Sequence, residues 1–377
     1  PHPHKTFRRQ RQMCIRDRLN VTCFQMMTNL SIKRIDRGDG KELILFSQNP
    51  INYKVFEGLP PISDNKTHLR YHPTRFEWVG YSTSRQNRTF LPKALECPLC
   101  PMKNDESPSD IPVDQYEVAI FTNRFSSFKL VESDIPHLEV ETNQAVGTCD
   151  VISYSSKHND EFSKLPIERI ELIIQALSNR TEELHNKSKI EFILPFENKG
   201  KEIGVTLDHP HGQIYSFGHI PELIKRQAIL QKSNPLEKYL SDIPKELILK
   251  KNSTAISFVP RWARYPFEIW IVPYRRASNI FELLENEQKD LAELMLDASK
   301  SLDKVFGDPM PYTLAWQLSP KGYENSYHFH VCFQPIRRSK TKLKYLAGVE
   351  QITGFFLVDL PPERSARILR GEELPDE

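Results

Sequence analysis

The feature that most constrains this chain is an order of elements that occurs twice. YEVAIFTN (116–123) and DVISYSS (150–156) are rich in β-branched and aromatic residues, the composition of strands. PIERIELIIQALSNRTEEL then sets Ile167, Ile170, Ile174 and Leu177 three or four residues apart, one apolar stripe of a helix opened by Pro166. KIEFILPF (189–196) reads as strand again, a Gly/Lys/Glu turn follows, and HPHGQIYSF closes the series. The second pass runs AISFV (255–259) and FEIWIVPY (267–274), then a helix over EQKDLAELMLDASKSLDKVF with Leu291, Leu294, Met295, Ala298 and Leu302 on one side. PYTLAWQL and YHFHVCFQP complete it. His158 precedes His209 by 51 residues and Arg276 precedes His328 by 52, so each copy ends on a His-x-His strand. The pattern predicts a tandem duplication of an α+β unit.

A length of 377 residues allows about two such domains. The boundaries expected are 27–225 and 226–377. The formal charge of +2 conceals an uneven distribution: PHPHKTFRRQRQMCIRDR at the start holds six basic residues and one acid, leaving 45 basic and 48 acidic residues in the rest. A body so near neutrality offers no basic face for nucleic acid. No apolar run approaches the roughly 18–20 residues of a membrane span. Six cysteines are too few for a disulfide scaffold in a chain of this length, and a cytoplasmic protein is expected. The basic start lacks the apolar stretch of a secretory signal. Met26 or Met27 would make a natural start, so residues 1–26 are expected to be disordered or non-native and receive no role.

The most specific local motif is Asp208-His209-Pro210-His211-Gly212-Gln213. Alternate residues of a strand point the same way, so His209, His211 and Gln213 can share a face where the segment is extended. A neutral imidazole can bind a metal or attack phosphorus, and an amide can donate to a phosphoryl oxygen. Glu96-Cys97-Pro98-Leu99-Cys100-Pro101 adds a C-x-x-C in a proline-rich turn, without the context that a thioredoxin-like redox pair needs. Two thiolates with two imidazoles would make a closed tetrahedral zinc site. Cys14, Cys23, Cys149 and Cys332 read as tail or core residues.

The segment FENKGKEIGVTLDHPHGQIYSFGHIP resembles the active-site segment of the galactose-1-phosphate uridylyltransferase family, which belongs to the histidine-triad superfamily and is built from two triad-like halves. The likeness extends from about residue 68 to 370, with further motifs in the family's order. Ser84-Arg85-Gln86-Asn87-Arg88 is similar to an early phosphate-binding Arg pair. Phe121-Thr122-Asn123-Arg124-Phe125 resembles a nucleotide-pocket strand end, with Arg124 where many members have Asp. Asn198, Gly204 and Thr206 keep the family's spacing before HPHGQ, and Lys344-Tyr345-Leu346-Ala347-Gly348-Val349-Glu350 resembles a sugar-pocket segment.

The resemblance implies two tandem histidine-triad-like units, each a mostly antiparallel sheet with packed helices. It makes His211 the nucleophile on the α-phosphorus of UDP-glucose and Gln213 the donor to a phosphoryl oxygen. Arg85 and Arg88 would clamp phosphates across the interface of a homodimer, and galactose 1-phosphate would be the acceptor. Phe121, Asn123, Asn198, Gly204, Thr206, Lys344 and Glu350 become substrate-binding candidates. Cys97, Cys100, His158 and His209 become ligands to one structural Zn2+. Some members bind a second metal at the positions of His328 and His330; here Gln317 stands where a third histidine would fall, and the pair is expected to line the pocket or brace the fold. Phe356 replaces an amide that some members use on the hexose. Two alternatives stay open: a nucleotide-sugar phosphorylase of the same superfamily, such as an ADP-glucose phosphorylase, and a non-catalytic nucleotide-binding protein with a structural zinc.

Overall fold

A computed structural model describes residues 30–37, 41–56, 66–83, 92–93, 96–103, 109–131 and 134–376. Arg85, Arg88 and residues 1–26 lie outside these. The strands are β1 (Ser31–Asp36), β2 (Glu42–Ser47), β3 (Thr67–His72), β4 (Glu77–Ser82), β5 (Val118–Thr122), β6 (Thr142–Gln144), β7 (Gly147–Ser153), β8 (Phe192–Lys199), β9 (His211–Phe217), β10 (Ile248–Lys251), β11 (Ala255–Phe258), β12 (Ile269–Pro273), β13 (Tyr312–Gln317) and β14 (His330–Pro335). The helices are α1 (Ile167–His185), α2 (Glu222–Ser233), α3 (Leu236–Leu240), α4 (Glu285–Phe306), α5 (Gly348–Thr353) and α6 (Pro362–Leu369).

Eleven strands form one antiparallel sheet in the order β1-β2-β5-β7-β9-β8-β13-β14-β12-β11-β10. Outward from its centre the sheet reads β8-β9-β7-β5 on one side and β13-β14-β12-β11 on the other. Each set contains its strands in the same chain order, with α1 or α4 inserted at the same point. The two copies therefore meet at the antiparallel β8–β13 pair, as a local two-fold axis requires, and the duplication read from element order is present in the fold. β4-β3-β6 make a separate small sheet. Among the described residues no helix is long and apolar enough to cross a membrane.

The strand period of two sorts side chains between the faces. Ile44, Phe46, Val118, Ile120, Ile152 and Ile214 face α1 and α4, where Ile170, Ile174, Leu177, Leu291, Leu294, Met295, Ala298 and Leu302 complete the main core. Leu43, Leu45, Ala119, Phe121 and Val151 face the other way and pack with Cys97, Leu99 and Tyr116. The helices thus cover one face, and the Cys-x-x-Cys turn with its following loop roofs part of the other.

Candidate active site

β9 begins at His211, and its alternation sends Gly212 and Ile214 toward the helices and His211 and Gln213 toward the open face. His209 precedes the strand, and its buried ring turns to the cysteine turn. The glycine between them is a steric requirement: a Cβ at Gly212 would lie 2.3 Å from Tyr154 Oη and 3.0 Å from Phe196 O.

His211 and Gln213 line a pocket with Phe121, Asn123, Asn198, Gly204 and Thr206, seven of the sequence candidates in one cavity. β8 presents Asn198 beside β9, and Gly204, at φ +81°, turns the chain in the left-handed conformation that favours glycine. His211 Nδ1 is 2.7 Å from His209 O. A carbonyl only accepts, so Nδ1 carries the proton and Nε2 the lone pair. Burial lowers the pKa of His211, so the ring is held in its neutral form.

Cys97, Cys100, His158 and His209 offer ligand atoms that all lie within 4.8 Å of one another. The distances of His209 Nδ1 to the two sulfurs are 3.7 and 3.5 Å, and Cys100 Sγ is 3.5 Å from His158 Nδ1. Bonds of about 2.0–2.3 Å to nitrogen and sulfur give a tetrahedron edges of about 3.3–3.8 Å, so the set fits one metal ion. His209 Nε2 is 2.7 Å from Ser155 O and so carries the proton, leaving Nδ1 as the ligand atom. Hydrogen bonds from the Cys100 thiol and from His209 hold the Cys97 thiol at about 3. Cys100 moves upward because Cys97 shares its proton.

Several participants carried no signal in sequence. Tyr116 read only as the start of a strand, yet its hydroxyl lies 2.6 Å from Leu99 O, 2.8 Å from Ser153 Oγ and 3.3 Å from His209 Nε2. Asp110 and Val151 also line the pocket, together with Pro98 and Leu99 of the cysteine turn and Arg124 of the strand-end motif. Lys344 and Glu350 do not: they pair with each other at 2.8 Å, and Lys344 also donates to Leu357 O. That pairing holds the Glu350 carboxyl down at about 2.

The second His-x-His repeats the hydrogen bonds of the first. His330 Nδ1 is 2.9 Å from His328 O, and His328 Nε2 is 2.9 Å from Pro273 O. Its surroundings differ, because Trp270 stacks on His330 with ring centroids 4.5 Å apart and Tyr327 lies on it at 6.3 Å. Burial lowers His330 to about 4. Glu237 stands 3.7 Å from His328 Nδ1 and 3.5 Å from Arg276 Nε, so an ion pair occupies the place that the cysteine turn has in the first unit.

Comparison with known proteins agrees with this geometry. The family description "Galactose-1-phosphate uridyl transferase, N-terminal domain" matches residues 61–221, and the corresponding C-terminal domain matches 225–377. The galactose-1-phosphate uridylyltransferase of Thermotoga maritima is 33% identical over 319 residues, covering 81% of this chain and 98% of that protein. That of Haemophilus influenzae is 28% identical over 332 residues, covering 81% and 94%. A solved uridylyltransferase structure superposes with a TM-score of 0.72 at 27% identity, covering 81% of this chain and 98% of that one. An Arabidopsis thaliana ADP-glucose phosphorylase shares the fold, with a TM-score of 0.62 at 22% identity, covering 82% and 100%. Fold, pocket and relatives define an enzyme of the nucleotidyltransferase class. Within that class the chain belongs to the galactose-1-phosphate uridylyltransferase family.

Proposed function

We propose that this chain exchanges the uridylyl group between UDP-glucose and galactose 1-phosphate through a covalent intermediate on His211. The observation that carries the reading is the single tautomer of His211, with Nδ1–H on His209 O and the Nε2 lone pair left to attack beside Gln213. Nε2 attacks the α-phosphorus, the bond from phosphorus to the bridging oxygen breaks, and glucose 1-phosphate leaves. A phosphate oxygen of galactose 1-phosphate then attacks the same phosphorus, the P–N bond breaks, and UDP-galactose departs with the histidine restored. The His209 carbonyl, already 2.7 Å from Nδ1, stabilises the positive charge that the ring gains in the intermediate. The Gln213 amide donates to a phosphoryl oxygen without offering a proton that would make it an acid.

Cys97, Cys100, His158 and His209 would hold Zn2+ as a structural ion, which ties three separated segments together when bound. Through the backbone from His209 to His211, that anchoring fixes the nucleophile. The working enzyme is a homodimer in which Arg85 and Arg88 reach across to the partner's phosphates. Lys344 and Glu350 sit outside the pocket of their own chain, and Tyr345, Val349, Ile352 and Phe355 around them are exposed, which fits a segment completed by a second copy. Cytoplasmic residence accords with the buried cysteines Cys149 and Cys332, which form no disulfide.

Exchange at equilibrium tests the two-step reading. Labelled glucose 1-phosphate should enter UDP-glucose with no galactose 1-phosphate present. A label that enters only when galactose 1-phosphate is added would show a direct transfer and reject the covalent route. Release of UDP-glucose label only by inorganic phosphate would identify a phosphorylase.

A further inference from the structure

The pocket contains an acid, Asp110, and a base, Arg124, that the transfer chemistry leaves unused. Phe121, Val151 and Gln213 are register partners across β5, β7 and β9, so the pocket floor runs about 10 Å from the catalytic strand to β5. At the β5 end stands Asp110, whose side chain is 8% exposed and lines the cavity. Its Oδ1 lies 3.2 Å from Arg124 Nε and 3.5 Å from Arg37 Nη2. These guanidiniums lie over the rings of Phe125 and Phe121. Asp110 Oδ1 has these ion pairs but no hydrogen bond among the described residues.

The loop carrying Asp110 is fastened to the cysteine turn. Asp110 N donates to Pro98 O at 2.9 Å, and Ser109 Oγ donates to Pro98 O and lies 3.1 Å from Cys100 O. Burial raises the Asp110 carboxyl and Arg124 and Arg37 pull it only partly back, while their two guanidiniums against Oδ1 favour the carboxylate form. An ionised carboxylate only accepts hydrogen bonds, so a ligand that meets it must bring donors. A pyrimidine edge is mostly carbonyl oxygen, which a carboxylate repels. The vicinal hydroxyls of ribose bring two adjacent donors, the pairing by which acidic residues read ribose in other nucleotide sites. Arg124, just past the end of β5, is paired to this acid from a separate loop.

We propose that Asp110 accepts hydrogen bonds from the ribose hydroxyls of the nucleotide, with Arg124 and Arg37 as positioning residues that aim it. This inference rests on the uridylyl-transfer reading for the identity of the nucleotide. The test is calorimetric binding of UMP and 2′-deoxy-UMP to the full chain, for wild type, Asp110→Asn and Asp110→Glu. Wild type should bind 2′-deoxy-UMP at least about tenfold more weakly than UMP, the loss expected for a hydrogen bond to a charged group. In Asp110→Asn the affinity for UMP should fall and the two ligands should come within about twofold of each other. Asp110→Glu keeps the charge but displaces the acceptor, and its ratio should shrink as well. Equal binding of the two ligands by wild type overturns the inference whatever happens to the variants. So does an unchanged ratio in Asp110→Asn, which would make Asp110 only a brace for the arginines. Ribose discrimination by a wild type that shows no uridylyl exchange would support Asp110 while rejecting the transfer reading.

Discussion

At His209 and His211 a backbone carbonyl fixes the proton of each ring: Ser155 O takes the Nε2 proton of the first, and His209 O takes the Nδ1 proton of the second. The two imidazoles are therefore left with opposite nitrogens available, in the proposed roles one for a metal and one for phosphorus. The sequence motif made both roles legible as possibilities, because His and Gln at alternate positions are costly to leave without partners. It could not assign them, since the assignment depends on carbonyls from residues 155 and 209 that any side chain would supply. Gly212 is the clearest single-residue test of the packing beneath the site. Gly212→Ala should destabilise the protein by about 1–3 kcal/mol, the usual range for overpacking, as measured by the denaturant midpoint. Removing the opposing oxygen with Tyr154→Phe should recover part of that loss in the double variant. Strict additivity of the two changes would show that Tyr154 is not the obstacle.

At the scale of elements, the cysteine turn roofs the pocket and β8 forms part of its floor, both on the face of the sheet away from the helices. The turn brings residues 97, 100, 158 and 209 into a cluster that could hold a metal ion, and Tyr116 braces it through Leu99 O. Tyr116→Phe should weaken metal affinity about tenfold, as loss of an outer-shell hydrogen bond typically does. Competition with a coloured chelator measures this, and an unchanged affinity would remove Tyr116 from the metal site. On β8, Asn198 faces the pocket while its neighbour Glu197 is buried toward the helices, near Tyr154, Tyr312, Lys199 and Asp303. Burial raises the Glu197 carboxyl to about 7, with Lys199 pulling it partly back. The folded state then holds a proton that the unfolded state releases near pH 4.5, so this group's contribution to stability is complete below 4.5 and is lost as pH rises to about 7. The shift corresponds to about 3 kcal/mol. Glu197→Gln should flatten the fall in thermal midpoint between pH 5 and 8, and an undiminished fall would place the titration elsewhere. Nothing in FILPFENK marks Glu197 as buried, because its burial depends on the helices of that face, α1 packed on β8 and Asp303 of α4 paired with Lys199.

Over the whole molecule, the duplication was legible because hydrophobic period and element order survive when identity does not. The way the copies join was not legible: β8 and β13 pair through backbone groups that carry no sequence label. The outer strands β1, β2 and β10 and the small β4-β3-β6 sheet also lay outside the repeat. The same hydrogen bonds support both His-x-His pairs, but Trp270 and Tyr327 cover His330 where the first unit has a pocket. The proposed mechanism therefore calls for one reactive histidine per chain. If the sites are shared across a dimer, mixing His211→Ala chains with Arg85→Ala/Arg88→Ala chains should restore about a quarter of wild-type activity through one intact site in each mixed dimer. Mixtures that stay inactive after exchange of chains would argue for sites complete within one chain.

The most direct measurement is to incubate the protein with UDP-glucose labelled in the α-phosphate, without acceptor, and to locate the label. The account predicts no more than one acid-labile, alkali-stable uridylyl group per chain, on His211, absent from His211→Ala and discharged by galactose 1-phosphate into UDP-galactose. Label on His330, or none on a folded, metal-loaded protein, would contradict it.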